Sequence, residues 1–169
     1  MDGFEEIYEL YYVDVYNFIN KLTHYNHHIA EELTQETFYH VYLSFHKFKG
    51  QSHIRTWILG IAKNRYFGYL RANKHIDFSV EEILGFTEDK QQSIENAQIK
   101  KELLEYGLKV IFEMKSPMKE VVLSRIFTNK SYNAIAVHQK ISVSSAKVFY
   151  FRGKKMLRAK LKEKYGYEI

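Results

Sequence analysis

Cysteine is absent from the 169 residues, proline occurs once and glycine eight times. Without thiols there is no disulfide framework, no thiolate nucleophile and no cysteine-ligated zinc or iron–sulfur centre, and the chain suits a reducing compartment. So little proline and glycine argues against an all-β fold, whose many turns need both. No run approaches the roughly 18 apolar residues of a membrane span, so no stable membrane insertion is expected. The opening MDGFEEIYELYY is acidic where a signal peptide begins with basic residues and an apolar run. A soluble, cytoplasmic protein is the expectation.

What is present supports a folded, helical chain. It is 46% hydrophobic and 27% charged, enough to bury a core. Phe4, Ile7, Tyr11, Val15, Phe18 and Leu22 recur at three- and four-residue steps, the stripe of an amphipathic helix. A polar break spans His24 to His28. A second helix is expected from about Ala30 to Phe45, with Leu33, Thr37, Phe38, Val41, Tyr42 and Phe45 on its apolar side. A third is expected from about Ile54 to Arg71, with Ile54, Ile58 and Ile61 inward, Thr56, Gly60, Lys63, Asn64, Phe67 and Arg71 on another face, and Trp57 at its edge. The periodicity fades from Ile76 to about Glu95, which reads as a linker with at most a short helical piece. Helix resumes near Ile99. Ser116 and Pro117 suit a helix start, as cap and first residue. Two more helices are expected at about Ser131–Gln139 and Ser142–Lys164.

Charge is laid out in blocks. Residues 1–45 carry net −7, residues 46–75 net +7, residues 76–113 net −5 and residues 114–169 net +10. Two basic blocks fit a polyphosphate partner touched twice. The acidic first block fits a basic protein surface instead.

The last two helices have helix-turn-helix proportions. At 100° per residue, Val143, Ala146, Tyr150, Gly153 and Leu157 fall on the packing side of the final helix. Ser144, Lys147, Val148, Phe151, Arg152 and Lys155 fall on the other, combining cations for phosphates with side chains able to touch base edges and thymine methyls. Ser142 is placed to cap this helix. In the middle basic block, Phe48, Lys49, Gly50, Gln51 and Ser52 form an acid-free loop before a helix bearing Arg55, Trp57 and Lys63. Cations interleaved with aromatics are the composition of single-strand binding surfaces, and such a loop can receive an unstacked base.

His24, His27 and His28, with Glu31 and Glu32 following, offer nitrogen and carboxylate donors. They lack the H-E-x-x-H spacing that would place two imidazoles on one helix face. Neither a glycine-rich phosphate loop nor a nucleophile elbow is present. No catalytic residue, no metal and no cofactor is expected, and the chain is not read as an enzyme.

Three sequence blocks, in this order and spacing, resemble the extracytoplasmic-function (ECF) RNA polymerase sigma factors. They are Ala30–Phe38 (AEELTQETF), then Phe48–Gly50 with Ile54–Ile58 (IRTWI) and Ile61–Arg65 (IAKNR), then Ser131–Ala136 (SYNAIA) with Ile141–Val143 (ISV). The resemblance implies an all-α fold of two small helical domains joined by a linker, the C-terminal one a helix-turn-helix. It implies sigma region 2 over residues 1–76, a linker over 77–98 and sigma region 4 over 99–169. Core RNA polymerase, promoter DNA and an anti-sigma factor are the implied partners. Glu31, Glu32, Gln35 and Glu36 would bind core polymerase. Phe48, Lys49, Gly50, Gln51, Ser52, Arg55, Thr56, Trp57, Lys63 and Asn64 would engage the −10 element, with Asn64 the leading reader. Ser142, Ser144, Ser145, Lys147, Val148, Phe151, Arg152 and Lys155 would engage the −35 element. The chain differs from the family at the turn, where Lys140 replaces a usual glycine and His138-Gln139 replaces two apolar residues, and at Ala146, where Val or Leu is usual. The alternative is a stand-alone helix-turn-helix regulator, which leaves the middle basic block unexplained.

Overall fold

The computed structural model describes residues 3–73, 79–86 and 97–166, and every regular element among them is helical. The chain divides into two compact units, Met1–Ile76 and Asp77–Ile169. No helix among the described residues is long and apolar enough to cross a membrane.

The first unit packs α1 (Phe4–Leu22), α2 (His27–Ser44) and α3 (Ile54–Ala72) against one another. Val15, Phe18, Ile19 and Leu22 of α1 meet Ala30, Leu33, Phe38 and Val41 of α2, and Ile58, Leu59, Ala62, Tyr66 and Leu70 of α3, in a solvent-free core. The second helix starts earlier than its apolar stripe predicts, because Asn26 Oδ1 accepts the Ile29 N–H at 3.2 Å and caps it there. His27 and His28 therefore lie in its first turn. The preceding turn places two consecutive side-chain-bearing residues, His24 (φ 52°) and Tyr25 (φ 60°), in the left-handed region, at a cost of roughly 1–2 kcal/mol each.

Three expectations about faces are corrected. Tyr42 and Phe45, expected inward, are 45% and 36% exposed: Tyr42 lies edge-on to Phe4 at 5.3 Å at the rim of the unit, and Phe45 opens a one-turn 3-10 segment, Phe45–Lys47. Phe67, expected outward, is 6% exposed. Arg55 and Thr56, placed on the DNA side by sequence, are buried at 4% and 5%.

The second unit contains α4 (Val80–Ile83), α5 (Ala97–Glu113), α6 (Met118–Phe127), α7 (Tyr132–Gln139) and α8 (Val143–Tyr165). Residues 79–86, expected within the linker, belong to its core. Ser79 Oγ accepts the Glu82 N–H at 3.1 Å and starts the short α4, and Val80, Ile83, Leu84 and Phe86 are at most 5% exposed. Leu84 fits against Gly107 of α5, where an added Cβ would meet its Cδ1 at 2.7 Å. Ser116 does not cap α6. Pro117 takes the cap position, and the Ser116 hydroxyl donates to Glu120 Oε2 at 2.8 Å.

The α7–α8 turn is built by capping at every end. Ser131 Oγ accepts the Ala134 N–H at 3.2 Å and Ser142 Oγ accepts the Ser145 N–H at 3.0 Å. Between them Lys140 adopts the left-handed conformation, φ 53°, ψ 43°. Its N–H donates to Val137 O at 3.3 Å and the Ile141 N–H donates to Ala136 O at 3.0 Å. This is the Schellman pattern, completed by Ile141 packing on the cluster that contains Ala136. The turn normally recruits glycine for this φ, so the departure at Lys140 leaves the geometry intact and charges it with backbone strain.

Candidate nucleic-acid interface

Three surfaces gather the sequence-nominated residues. The first is the loop before α3. Phe48 follows the 3-10 segment, with its N–H donating to Phe45 O at 3.0 Å. Gly50 has φ +68° with open space around it, so the loop turns over sharply there. Lys49, Gly50, Gln51 and Ser52 are exposed. Trp57, half-buried, lies with its ring 5.2 Å from Phe48 and 6.5 Å from Phe45. Along α3 this side continues from Trp57 past Gly60 and Ile61 to Asn64, which is exposed; Ile61, expected inward, is only half-buried. Lys63 is half-buried beside it.

Arg55 and Thr56 leave this set. Arg55 Nε donates to Asp14 Oδ2 of α1 at 2.6 Å, with side chains 5% and 11% exposed. A cation so placed fastens α3 to α1 and offers nothing to a phosphate. Burial pushes the phenol of neighbouring Tyr11 up, against the opposing pull of Arg55.

The second surface is the outer stripe of α2. Glu31, Glu32, Gln35 and Glu36 are all exposed. Glu36 is tied to α3: Arg65 Nη1 donates to Glu36 Oε1 at 3.3 Å and lies 3.1 Å from His40 Nε2. The stripe runs on through Tyr39, 61% exposed, and Leu43, 47% exposed, which sequence reasoning missed. Successive steps of three, four and four residues from Glu32 to Gln35, Tyr39 and Leu43 carry the signal, but two apolar residues on a helix read by default as core.

The third surface is α8. Ala146, Gly153, Leu157 and Leu161 face inward. Gly153 permits a close crossing with α6, since a Cβ there would collide with Val122 Cγ2. Ser142, Ser144, Lys147, Val148, Phe151, Arg152 and Lys155 are exposed, with Phe151 at 67% and Val148 at 44%. Ser145 is half-buried, and its hydroxyl accepts from Ser142 Oγ at 2.8 Å, so it belongs to the cap as much as to the surface. Val143, expected inward, is 36% exposed at the helix start. Burial raises the Tyr150 phenol on the inner side.

The histidine cluster does not assemble. Tyr16 Oη and His27 Nδ1 are 2.9 Å apart, and among the described residues no three side chains of metal-ligating type converge.

A compact three-helix unit with an acidic outer stripe and a cationic, aromatic loop, followed by a capped helix-turn-helix, has close relatives in sequence. Residues 7–76 match the family model described as sigma-70 region 2. The ECF RNA polymerase sigma factor SigM of Bacillus subtilis (strain 168) is 27% identical over 157 residues, covering 92% of this chain and 93% of the relative. The RNA polymerase sigma factor YlaC of the same organism is 28% identical over 139 residues, covering 80% and 78%. Among solved structures, the sigma factor RpoE in complex with the anti-sigma factor NepR, from Bartonella quintana, matches over 98% of this chain and 99% of its own, at 16% identity and a TM-score of 0.45. The first unit is thus a sigma-70 region 2, and the chain is a sigma factor, a non-enzymatic factor of transcription initiation. Over most of its length it is similar to ECF sigma factors.

Proposed function

We propose that this chain, acting as an alternative sigma subunit in the cytoplasm, divides promoter recognition between its two units. The outer stripe of α2, from Glu31 and Glu32 through Gln35 and Glu36 to Tyr39 and Leu43, docks on core RNA polymerase. The acids supply steering and register, and the exposed aromatic supplies contact area. The loop Phe48–Ser52 receives an unstacked base of the −10 element, with Trp57 and Phe48 as stacking surfaces, Lys49 and Lys63 for phosphates and Asn64 for a base edge. Base–aromatic stacking contributes about 1–3 kcal/mol per base, the scale needed to offset local unpairing. In the second unit, α8 enters the major groove of the −35 element with Ser144, Lys147, Val148, Phe151, Arg152 and Lys155, and Ser142 and Ser145 cap the end that approaches the backbone.

The observation that carries this division is the pairing of two cationic, aromatic surfaces on two separate units, one on a loop suited to single strands and one on a helix suited to a groove. Family likeness supports an anti-sigma protein as a further partner.

The test is run-off transcription from genomic fragments by bacterial core polymerase supplied with the purified chain. Start sites sharing an upstream pair of motifs are expected. Absence of core binding, together with sequence-specific duplex binding, would favour a stand-alone regulator.

A further inference from the structure

Phe86 is 5% exposed, yet what lies over its ring is charge. Lys154 Nζ stands 4.8 Å from the ring centroid and Arg158 Cζ 5.0 Å, from residues one turn apart on α8. Lys154 also donates to the Gly85 carbonyl and sits 5.6 Å from the Tyr150 ring. Two turns nearer the helix start, Lys147 lies 6.0 Å from the Tyr132 ring, over which Arg125 stands at 4.9 Å. One flank of α8 thus carries cations seated on rings.

A ring and a carboxylate seat a cation differently. A carboxylate orients it and neutralises it. A ring orients it through its quadrupole and leaves the unit charge available to an anion. Arg158 is exposed and forms no ion pair among the described residues. It therefore keeps its charge while losing much of its side-chain freedom, the condition under which a phosphate contact costs least entropy.

We infer that Arg158 is a phosphate contact of the duplex read by α8, and that Phe86, delivered by the segment ahead of the second unit's long helices, is its positioning residue. This rests on the promoter-reading role of α8 proposed above. At 1.5 Å per residue Arg158 lies about 10 Å along the axis beyond Phe151. The major groove is about 12 Å wide, so a flank at that distance meets a phosphate row bounding the groove rather than a base edge. The same packing gives residues 79–86 a role in DNA binding that their linker-like sequence conceals.

The full chain is reconstituted with bacterial core polymerase, and binding to promoter duplexes recovered from its own start sites is followed across a salt series. Arg158→Gln is expected to weaken binding about 3- to 10-fold, by a similar factor on every promoter, and to make the slope of log K against log salt shallower by about 0.9. Phe86→Leu, apolar but without the quadrupole, is expected to give a smaller loss, and the double variant is expected to bind no more weakly than Arg158→Gln alone. Phe86→Tyr is expected to restore wild-type binding. Because Phe86→Leu risks loosening the core, its melting is recorded alongside, and the exposed Arg158 carries the test independently. A wild-type slope and affinity in Arg158→Gln overturns the inference while leaving the sigma reading intact. Failure of the wild-type chain to bind core or promoter overturns the reading of α8 itself, and the inference with it.

Discussion

Arg55 and Asp14, 41 residues apart in sequence, meet at 2.6 Å inside the first unit and join α3 to α1. Arg55 stands in the first turn of α3, three residues after the loop proposed to capture a promoter base, so the helix that follows the loop is fastened by a buried pair. Removing one member of a buried pair leaves the other uncompensated, at about 3–5 kcal/mol. Asp14→Ala is expected to destabilise the first unit by that amount, read as a lower denaturant midpoint. Asp14→Leu combined with Arg55→Met is expected to recover most of it. A wild-type midpoint for Asp14→Ala would show that the pair contributes nothing net.

Lys140 offers a prediction of opposite sign. It occupies a left-handed position within the Schellman turn, with φ 53°. Lys140→Gly relieves that strain but gives the unfolded chain more freedom, and the balance favours the variant by about 1 kcal/mol. For a unit of this size that raises the melting temperature by about 4–8 °C. Calorimetry of the full chain reads it in the transition of the second unit. A lower melting temperature would mean that the lysine side chain makes a compensating contact.

Gly153 lies where α8 crosses α6. Alanine is the better helix former by about 1 kcal/mol, but its methyl would overlap Val122, a short branched side chain with little room to rotate. Overpacking of this kind costs about 1–3 kcal/mol, so Gly153→Ala is expected to destabilise the second unit by up to about 2 kcal/mol net and to weaken −35 binding by shifting α8. A more stable variant would contradict the close crossing.

Tyr66 is 1% exposed, and its hydroxyl finds no hydrogen-bond partner among the described residues. Burial pushes its phenol well above the ordinary value of 10. At neutral pH, Tyr66→Phe removes an unsatisfied polar group and is expected to be neutral or stabilising by about 1 kcal/mol. Above pH 10 the unfolded tyrosine loses its proton while the folded one keeps it, so stability falls as pH rises through that range. The variant's advantage is expected to grow by about 1.4 kcal/mol per pH unit there. Urea titrations at neutral and alkaline pH measure the difference, and parallel pH profiles would remove Tyr66 from the account.

The helices were legible in the sequence because their apolar stripes are long and their caps, Ser131 and Ser142 among them, are of the expected type. Faces were less legible where three helices meet. Arg55 reads as a DNA cation because nothing local to it reveals Asp14, and Phe67 reads as outward because its neighbours Lys63 and Asn64 are polar. The 79–86 segment was missed for a different reason. Its buried residues, Val80, Ile83, Leu84 and Phe86, are too few for a helical period and lie among acids. On α2, the exposed acids were legible as charge, whereas nothing in the sequence singled out Tyr39 and Leu43, whose exposure only the structure shows.

Asn64 and Arg152 separate the two proposed promoter contacts. Both are exposed, so neither substitution disturbs a core. Asn64→Ala removes a side-chain amide able to pair with a base edge, a loss of about 1–3 kcal/mol, or roughly 5- to 150-fold, confined to −10 recognition. It is expected to reduce open-complex formation while leaving binding to a duplex carrying only the −35 element unchanged. Arg152→Ala is expected to do the reverse. Its salt dependence then tells which partner it has: a slope shallower by about 0.9 with unchanged sequence preference marks a phosphate, and relaxed preference at one base pair marks a base. Permanganate footprinting of melted thymines and duplex binding by anisotropy provide the two readouts. Wild-type behaviour of both variants would displace the reading residues from these positions and turn attention to Val148 and Phe151, other exposed side chains of that face of α8.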